Sequence, residues 1–206
     1  MGKNFPAFSL ANIIGGVLLL AFWFLYAILL PYNELDTTLS ILVKNKNWVF
    51  LNIVGVSGSI IALLGLVGIY MKGAETFGFL GNIGFLLAFI GTVLLTGALL
   101  WDTIIWPILV KIDPSILDFQ GPIYSSKTFV PFFIISGVIY ALGYISFGIA
   151  LAKSPLFPSW PSLMIAVGAP LFGLGSMFGK AQVYPRSIGI TLFSIGLIWI
   201  GLILKM

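Results

Sequence analysis

The sequence predicts an all-α, polytopic transmembrane helix bundle with six transmembrane helices. Hydrophobic residues make up 60% of the 206 positions, and only 10 basic and 6 acidic side chains interrupt the apolar runs. The mean hydropathy is +1.14. A membrane helix needs about 20 apolar residues to cross about 30 Å of hydrocarbon, so this length holds six helices and no soluble domain. We predict a single bundle over 1–206, with spans at about 8–30, 48–71, 75–101, 128–152, 162–178 and 187–204.

The first two predicted spans end at recognisable breakers. The first closes at Pro31, and Trp23 and Tyr26 lie toward that end, where interfacial anchors are expected. A polar stretch follows, in which residues 37–40 favour the start of a short interfacial helix. The Lys-Gly pair at 72–73 ends the second span.

The third predicted span is unusually long for a membrane helix. No breaker occurs between Glu75 and Pro107. A helix of roughly 32 residues is about 48 Å long, so its C-terminal end is expected to project from the membrane or to tilt strongly. The connection 111–127 combines turn residues with charges and is the largest extramembrane segment. The fourth span then begins with Pro131 in its first turn, where proline is tolerated.

The last two predicted spans are separated by short connections. Three prolines in 153–161 prevent that stretch from being helical throughout. The fifth span is short and carries Pro170 among several glycines, which favours a broken helix with free backbone carbonyls. The loop 180–186 precedes the sixth span. The glycines near Pro170 are Gly168, Gly173, Gly175 and Gly179.

Six spans place both termini on one side of the membrane. That side carries short loops, so we expect it to be cytoplasmic and the protein to be a multi-pass component of the cell (cytoplasmic or inner) membrane. The net charge of +4 comes from dispersed cations, and without a basic patch we expect no nucleic-acid partner. The cations on the side of the termini are Lys3, Lys72, Lys153 and Lys205, and those on the other side are Lys44, Lys46, Lys111, Lys127, Lys180 and Arg186.

The residue types that are missing restrict the chemistry. The chain has no His and no Cys, which excludes their use as haem, zinc or iron–sulfur ligands. No nucleotide-binding loop, nucleophile elbow or paired metal-binding motif occurs. We therefore predict no catalytic residue, no metal ligand and no cofactor held by this chain alone, although a bound lipid, quinone or pigment is compatible with the sequence.

Small residues predict a helix-packing seam in the third span. They follow alternating steps of three and four, which places them on one face. Shorter small-residue patterns occur in spans two, four and five. Two interpretations remain open, oligomerisation and packing within the chain. The seam residues are Gly81, Gly84, Ala88, Gly91 and Ala98.

Asn-Ile pairs begin at Asn12, Asn52 and Asn82, each followed closely by glycine. They suggest interhelical amide hydrogen bonds or a weak internal repeat.

Six residues are candidates for a functional or polar role: Glu75, Asp102, Trp106, Tyr140, Tyr144 and Pro170. Carboxylates inside membranes are costly and usually functional. Glu75, however, is predicted in the first turn of helix three, where it complements the helix dipole. A straight helix places Asp102 about 40 Å away, near the opposite surface.

Two groups of these candidates suggest binding sites. Asp102 and Trp106, with the neighbouring Trp101, Asp113 and Asp118, form a possible acidic, aromatic mouth for a cation or an amphiphile. The hydroxyls of Tyr140 and Tyr144, one turn apart, are candidates to face a quinone, carotenoid or lipid. An aromatic belt and simple packing are the alternatives.

The stretch 65–85, which contains Gly65-Leu-Val-Gly68-Ile-Tyr70 and Gly81-x2-Gly84-Phe85, together with Pro107, resembles uncharacterised multi-span membrane proteins of bacteria and archaea. The resemblance implies a membrane bundle and brings no function with it.

Three functional hypotheses follow. The first is a non-catalytic membrane subunit, an accessory or structural component of a larger membrane complex or a homo-oligomer, with other membrane subunits or itself as partners. The second is a small transporter or channel for a small solute, ion or lipid. The third and weakest, an enzyme acting on a lipid or quinone, lacks a general base.

Overall fold

The computed structural model describes residues 5–31, 38–118, 121–175 and 182–205, and these ranges are helical with no strand. Predictions that concern Glu34, Asp36, Gly179 or Lys180 lie outside the described residues, as does the predicted end of span five at 178. The helices are α1 (Phe5–Leu29), α2 (Leu39–Lys44), α3 (Trp48–Ile104), α4 (Trp106–Ile112), α5 (Phe129–Lys153), α6 (Ser159–Leu174) and α7 (Val183–Lys205), with a 3₁₀ turn at Pro114–Leu117.

Four helical segments of the described chain are long and apolar enough to cross a membrane: Phe5–Leu29, Trp48–Ile112, Phe129–Lys153 and Val183–Leu204. The shorter apolar helix α6 has 16 residues, about 24 Å at 1.5 Å per residue. The prediction of an all-helical protein suited to a membrane is therefore confirmed. Within the described residues, four helices meet the length criterion, because spans two and three form one long helix and α6 has 16 residues.

Helix α3 bends back on itself at Gly78. Its backbone there has φ 60° and ψ −166°, a combination essentially restricted to glycine. The bend divides α3 into a first arm (48–77) and a second arm (79–104). The indole N–H of Trp48 donates to the Asp102 carbonyl at 3.0 Å, whereas a straight helix would separate these residues by about 80 Å. The two arms therefore form an antiparallel hairpin.

The predicted boundary at 72–73 is wrong, because the helix continues through Lys72 and Gly73 to Phe77. A single glycine or lysine is tolerated inside a helix when the helical hydrogen bonds continue. The same shift corrects the interpretation of Glu75. It lies in the last turn of the first arm, where the helix dipole does not favour a carboxylate.

The helical segments close into a ring in chain order. The first arm packs on α1, the second arm on α5, α5 on α6, α6 on α7, and α7 returns to α1. At one end of the ring, the Ser9 hydroxyl donates to the Gly201 carbonyl at 2.6 Å. At the other end, the Trp23 indole N–H donates to the Ser187 hydroxyl at 2.8 Å. We call these the bend end, which also holds Gly78, and the loop end, which also holds α2 and α4.

Close backbone contacts hold the ring together. An added Cβ on Gly15 would lie 2.6 Å from the backbone nitrogen of Ala62, and one on Gly84 would lie 2.5 Å from that of Phe147. The seam of the third span therefore faces α5 of the same chain. Only glycine allows these helix axes to approach so closely, as in other membrane bundles.

Large apolar side chains cover the outside of the ring, where lipid is the fitting solvent. Phe79 is 83% exposed and Ile28 is 73% exposed. Conversely, Trp23 and Tyr26 are buried, only 1% and 8% exposed. Their prediction as interfacial anchors is therefore wrong, since Trp23 bonds to α7 and Tyr26 packs on Trp48 at a ring distance of 5.8 Å.

The asparagines of the three Asn-Ile pairs occupy different environments. Asn12 donates to the carbonyl of Gly65 at 3.0 Å and so joins α1 to the first arm. Asn52 is also buried but donates to Trp48 of its own helix. Asn82 is exposed. Only the first amide joins two helices, so the pairs do not share one structural role.

Candidate functional site: a charged cavity inside the ring

The ring encloses a cavity of about 240 Å³ in its loop half, and all six helical segments line it. Toward the bend end, the interior is filled by fully buried side chains, namely Leu66, Phe147, Ile165, Leu197 and Ile200. The cavity is slightly smaller than the ~300–1,000 Å³ of pockets for drug-sized ligands, which suits a small molecule. Its apolar wall includes Leu19, Phe22, Leu95, Leu99, Phe133, Ile190 and Phe193.

Asp102 contributes a carboxyl group to this cavity. It lies in the last turn of the second arm, and its backbone carbonyl accepts the Trp48 indole N–H. The carboxylate itself forms no hydrogen bond or ion pair with the described residues. An acid at the wall of an apolar cavity is costly unless a ligand, a proton or water meets it.

Arg186 contributes a cation to the same cavity from the first turn of α7. Its guanidinium carbon lies 4.2 Å from the Trp23 ring centroid and 5.0 Å from that of Phe172. Stacking between two aromatic faces suits the planar guanidinium and stabilises it away from bulk water. The aromatic rings thus fix the position of this charge.

Asp102 and Arg186 come from different segments of the ring. In the ring order, the second arm and α7 are separated by α5 and α6 on one side and by the first arm and α1 on the other. Asp102 and Arg186 form no ion pair with each other in the described structure. Both side chains line the cavity.

Hydroxyl groups add polar positions deeper in the cavity. The hydroxyls of Tyr144 and Thr92 lie 3.1 Å apart, and Thr92 also donates to the Ala88 carbonyl. Tyr140 packs edge-on against Tyr144 at 4.7 Å, and its hydroxyl has no partner among the described residues. Of the two tyrosines, Tyr140 is thus the one whose hydroxyl remains available to a ligand.

The structure places the other candidates away from the cavity. Glu75 is exposed at the bend end. Trp106 is buried against Trp48 at a ring distance of 6.1 Å, and its indole nitrogen has no hydrogen-bond partner within the described chain. Pro170 lies inside α6, which continues unbroken to Leu174. Its missing N–H still leaves the Ala166 carbonyl without its helical donor.

The acidic mouth does not form as predicted. Trp101 is exposed on the outside of the ring, whereas Trp106 is buried. Asp113 lies on the surface and accepts the Ser115 N–H at 2.9 Å as a helix cap. This backbone hydrogen bond, with a second one from the Ser115 side chain, holds the pKa of Asp113 below its usual value. Of this group, only Asp102 reaches the cavity.

Ala98, the last member of the predicted seam, lines the cavity. The sequence predicts a loop at Arg186, whereas the structure places it in α7. It is the single arginine among the ten basic residues. The presence of arginine in place of lysine is the sequence feature that indicates a buried position, because arginine stacks on aromatic rings more often than lysine does. The cavity is also lined by Ser59, Thr92 and Phe172. Nothing in the sequence marks them as cavity residues, because they meet only when the ring closes.

No protein-family model, curated protein or solved structure matches this chain.

Proposed function

We propose that this protein is a small membrane carrier that binds a small amphiphilic molecule in the cavity of its helical ring. The observation that carries the proposal is the cavity itself, which holds the Asp102 carboxylate and the Arg186 guanidinium among apolar walls. Ligand sites are typically apolar cavities with a few fixed polar groups. A cavity limited to one half of the ring fits a carrier that is closed at the bend end.

The loss of stability that a polar group and an unfilled cavity cause in an apolar bundle supports this proposal over a purely structural role. An acidic side chain beside an apolar cavity lowers stability, and acids within membranes usually serve a function. A scaffold gains more from a filled core, as in the bend half of this ring. The role of accessory subunit or homo-oligomer stays a prediction. Its main motivation was the seam of small residues, and Gly84 and Gly91 of that seam contact α5 of the same chain.

We further propose that the chain crosses the membrane six times, through α1, the two arms of α3, α5, α6 and α7. Antiparallel neighbours around the ring support this arrangement, and both described ends of the chain lie at the bend end, where Ser9 contacts Gly201. On this proposal the bend end faces the cytoplasm, because its connections at Gly78 and at 154–158 are short. The host membrane is the cytoplasmic membrane.

Single cysteines test the six crossings, since the chain has no cysteine of its own. We expect Glu75→Cys and Lys153→Cys to react alike with a membrane-impermeant maleimide on intact cells. Lys44→Cys and Asp113→Cys should show the opposite reactivity, because they lie at the other end of the ring. All four positions are exposed. Equal labelling of positions 44 and 75 would show that the first arm does not cross the membrane.

Filling the cavity tests the carrier proposal. A Cβ on Gly137 meets only the Leu174 side chain, at 3.7 Å, so the rest of a leucine side chain must extend into the cavity. Gly137→Leu is therefore expected to abolish ligand retention. Native mass spectrometry of protein from its host membrane, in mild detergent, should show one small molecule bound to the wild-type chain and none to this variant.

Gly97→Leu is the matched control, because nothing lies within 4 Å of its added Cβ and the residue is exposed. It should retain the molecule as the wild-type chain does. Foreign subunits in fixed stoichiometry, with no small molecule bound to the wild-type chain, would instead favour the accessory-subunit prediction and refute the carrier.

A further inference from the structure

The length of the cavity restricts the shape of its ligand. On the second arm the lining extends from Thr92 to Asp102, and on α5 it extends from Phe133 to Tyr144. Each stretch covers about ten helical steps, which correspond to a rise of about 15 Å. The hydroxyls of Thr92 and Tyr144 lie 3.1 Å apart, so the two stretches end at the same level of the ring. Two neighbouring helices thus give the same length for the cavity.

The volume of the cavity is small for this length. A water-sized group takes about 30 Å³ of liquid volume, so the 240 Å³ of the cavity holds roughly eight such groups. Joined in a single file by bonds of about 1.5 Å, eight groups extend over roughly 10 Å. The same groups in a compact ring system would leave much of the length empty. A ligand that fills the cavity is therefore an extended chain.

We propose that the ligand is a straight-chain amphiphile of about eight to ten carbons with one hydrogen-bonding group. This inference rests on the proposed carrier function and names its ligand class. Leu95, Leu99 and Phe193 offer apolar surface to the chain. The polar group bonds to the hydroxyl of Tyr140, which lines the cavity and has no hydrogen-bond partner among the described residues.

Two alcohols of the same composition test the shape of the ligand, n-octanol as the straight isomer and 2-propylpentanol as the branched one. Affinities are measured by isothermal titration calorimetry on the full chain in detergent micelles, and the heat of partition into protein-free micelles is subtracted. We expect n-octanol to bind at least about tenfold more tightly. The branched isomer leaves about two methylene groups outside the cavity, and each of them costs roughly a factor of four in affinity.

Chain length gives a second test of the same shape. From n-hexanol to n-decanol, the affinity should rise by roughly a factor of four for each added methylene group. Between n-decanol and n-tetradecanol the rise should stop, because the additional carbons find no room in the cavity. A rise that continues to n-tetradecanol would overturn the inference.

The position of the polar group is tested by Tyr140→Phe, which removes one hydroxyl and keeps the ring. Its affinity for n-octanol should fall by about three- to tenfold, the usual effect of one hydrogen bond. Tyr184→Phe is the matched control, because Tyr184 is 75% exposed. Its affinity should equal that of the wild-type chain. Equal affinities of Tyr140→Phe and the wild-type chain would overturn the assignment of the polar group to Tyr140.

Two outcomes separate this inference from the carrier proposal. Equal binding of both octanol isomers, blocked by Gly137→Leu and not by Gly97→Leu, would overturn the straight chain and leave the carrier intact. No binding of any of these alcohols would also overturn the inference. If native mass spectrometry in addition finds no small molecule on the wild-type chain, the carrier proposal fails with it.

Discussion

Gly91→Leu is expected to destabilise the bundle by about 3 kcal/mol, at the upper end of typical overpacking costs. A Cβ on Gly91 would overlap the backbone of Tyr140, so the second arm and α5 would have to move apart. Backbone atoms cannot relax as a flexible side chain can. Because Tyr140 also lines the cavity, ligand retention should be lost together with stability.

The measurement is the midpoint of unfolding by circular dichroism in detergent micelles, with the ligand-free protein. Gly97→Leu on the same arm is the control, and its midpoint should stay close to that of the wild-type protein, because its added side chain faces outward. Similar midpoints for Gly91→Leu and Gly97→Leu would contradict the packing of the second arm on α5.

Gly78→Ala is expected to destabilise the protein by about 1–3 kcal/mol through backbone conformation alone. The φ of 60° with ψ of −166° at this bend is strained for any residue with a Cβ. Steric overlap does not contribute, since nothing lies within 4 Å of the added atom. The unfolding midpoint should therefore fall. The distance between residue 48, where the first arm begins, and residue 104, where the second arm ends, should vary more widely.

The control for this prediction is a substitution that is expected to raise the unfolding midpoint. Gly97→Ala places the same methyl group at a regular helical position with no neighbour within 4 Å, and alanine in a helix is favoured over glycine by roughly 0.5–1 kcal/mol. Gly97→Ala should raise the midpoint slightly while Gly78→Ala lowers it. A rise for both variants would show that the bend does not depend on the glycine conformation.

The class of fold follows from the sequence because hydropathy is a local property. Apolar length alone predicts α1, α5 and α7, and the predicted ends lie within a few residues of the observed ones. The position of the bend does not follow in this way. Lys72 and Gly73 have the composition of a loop, yet they are helical, and Gly78 resembles the neighbouring Gly81 and Gly84 in sequence. Only the backbone conformation distinguishes the bend from the packing positions.

The candidate site was predicted in part for a similar reason. Asp102 and the pair Tyr140 and Tyr144 attract attention individually, since polar groups are rare in apolar helices. Their meeting with Arg186 depends on the closure of a ring between segments that are far apart in sequence. The charge of Arg186 suggested a solvated loop, whereas Trp23 and Phe172 hold it inside. Such contacts between distant segments are invisible to local patterns.

The central claim is the proposal that the cavity of the ring, which Asp102 and Arg186 line, binds a small molecule. It is tested most directly by an electron cryomicroscopy map of the protein purified from its own host membrane and bound to an antibody fragment. We predict density for one small molecule in the cavity, next to Asp102 and the Tyr140 hydroxyl. A map in which protein side chains fill the cavity and no further density is present there would contradict it.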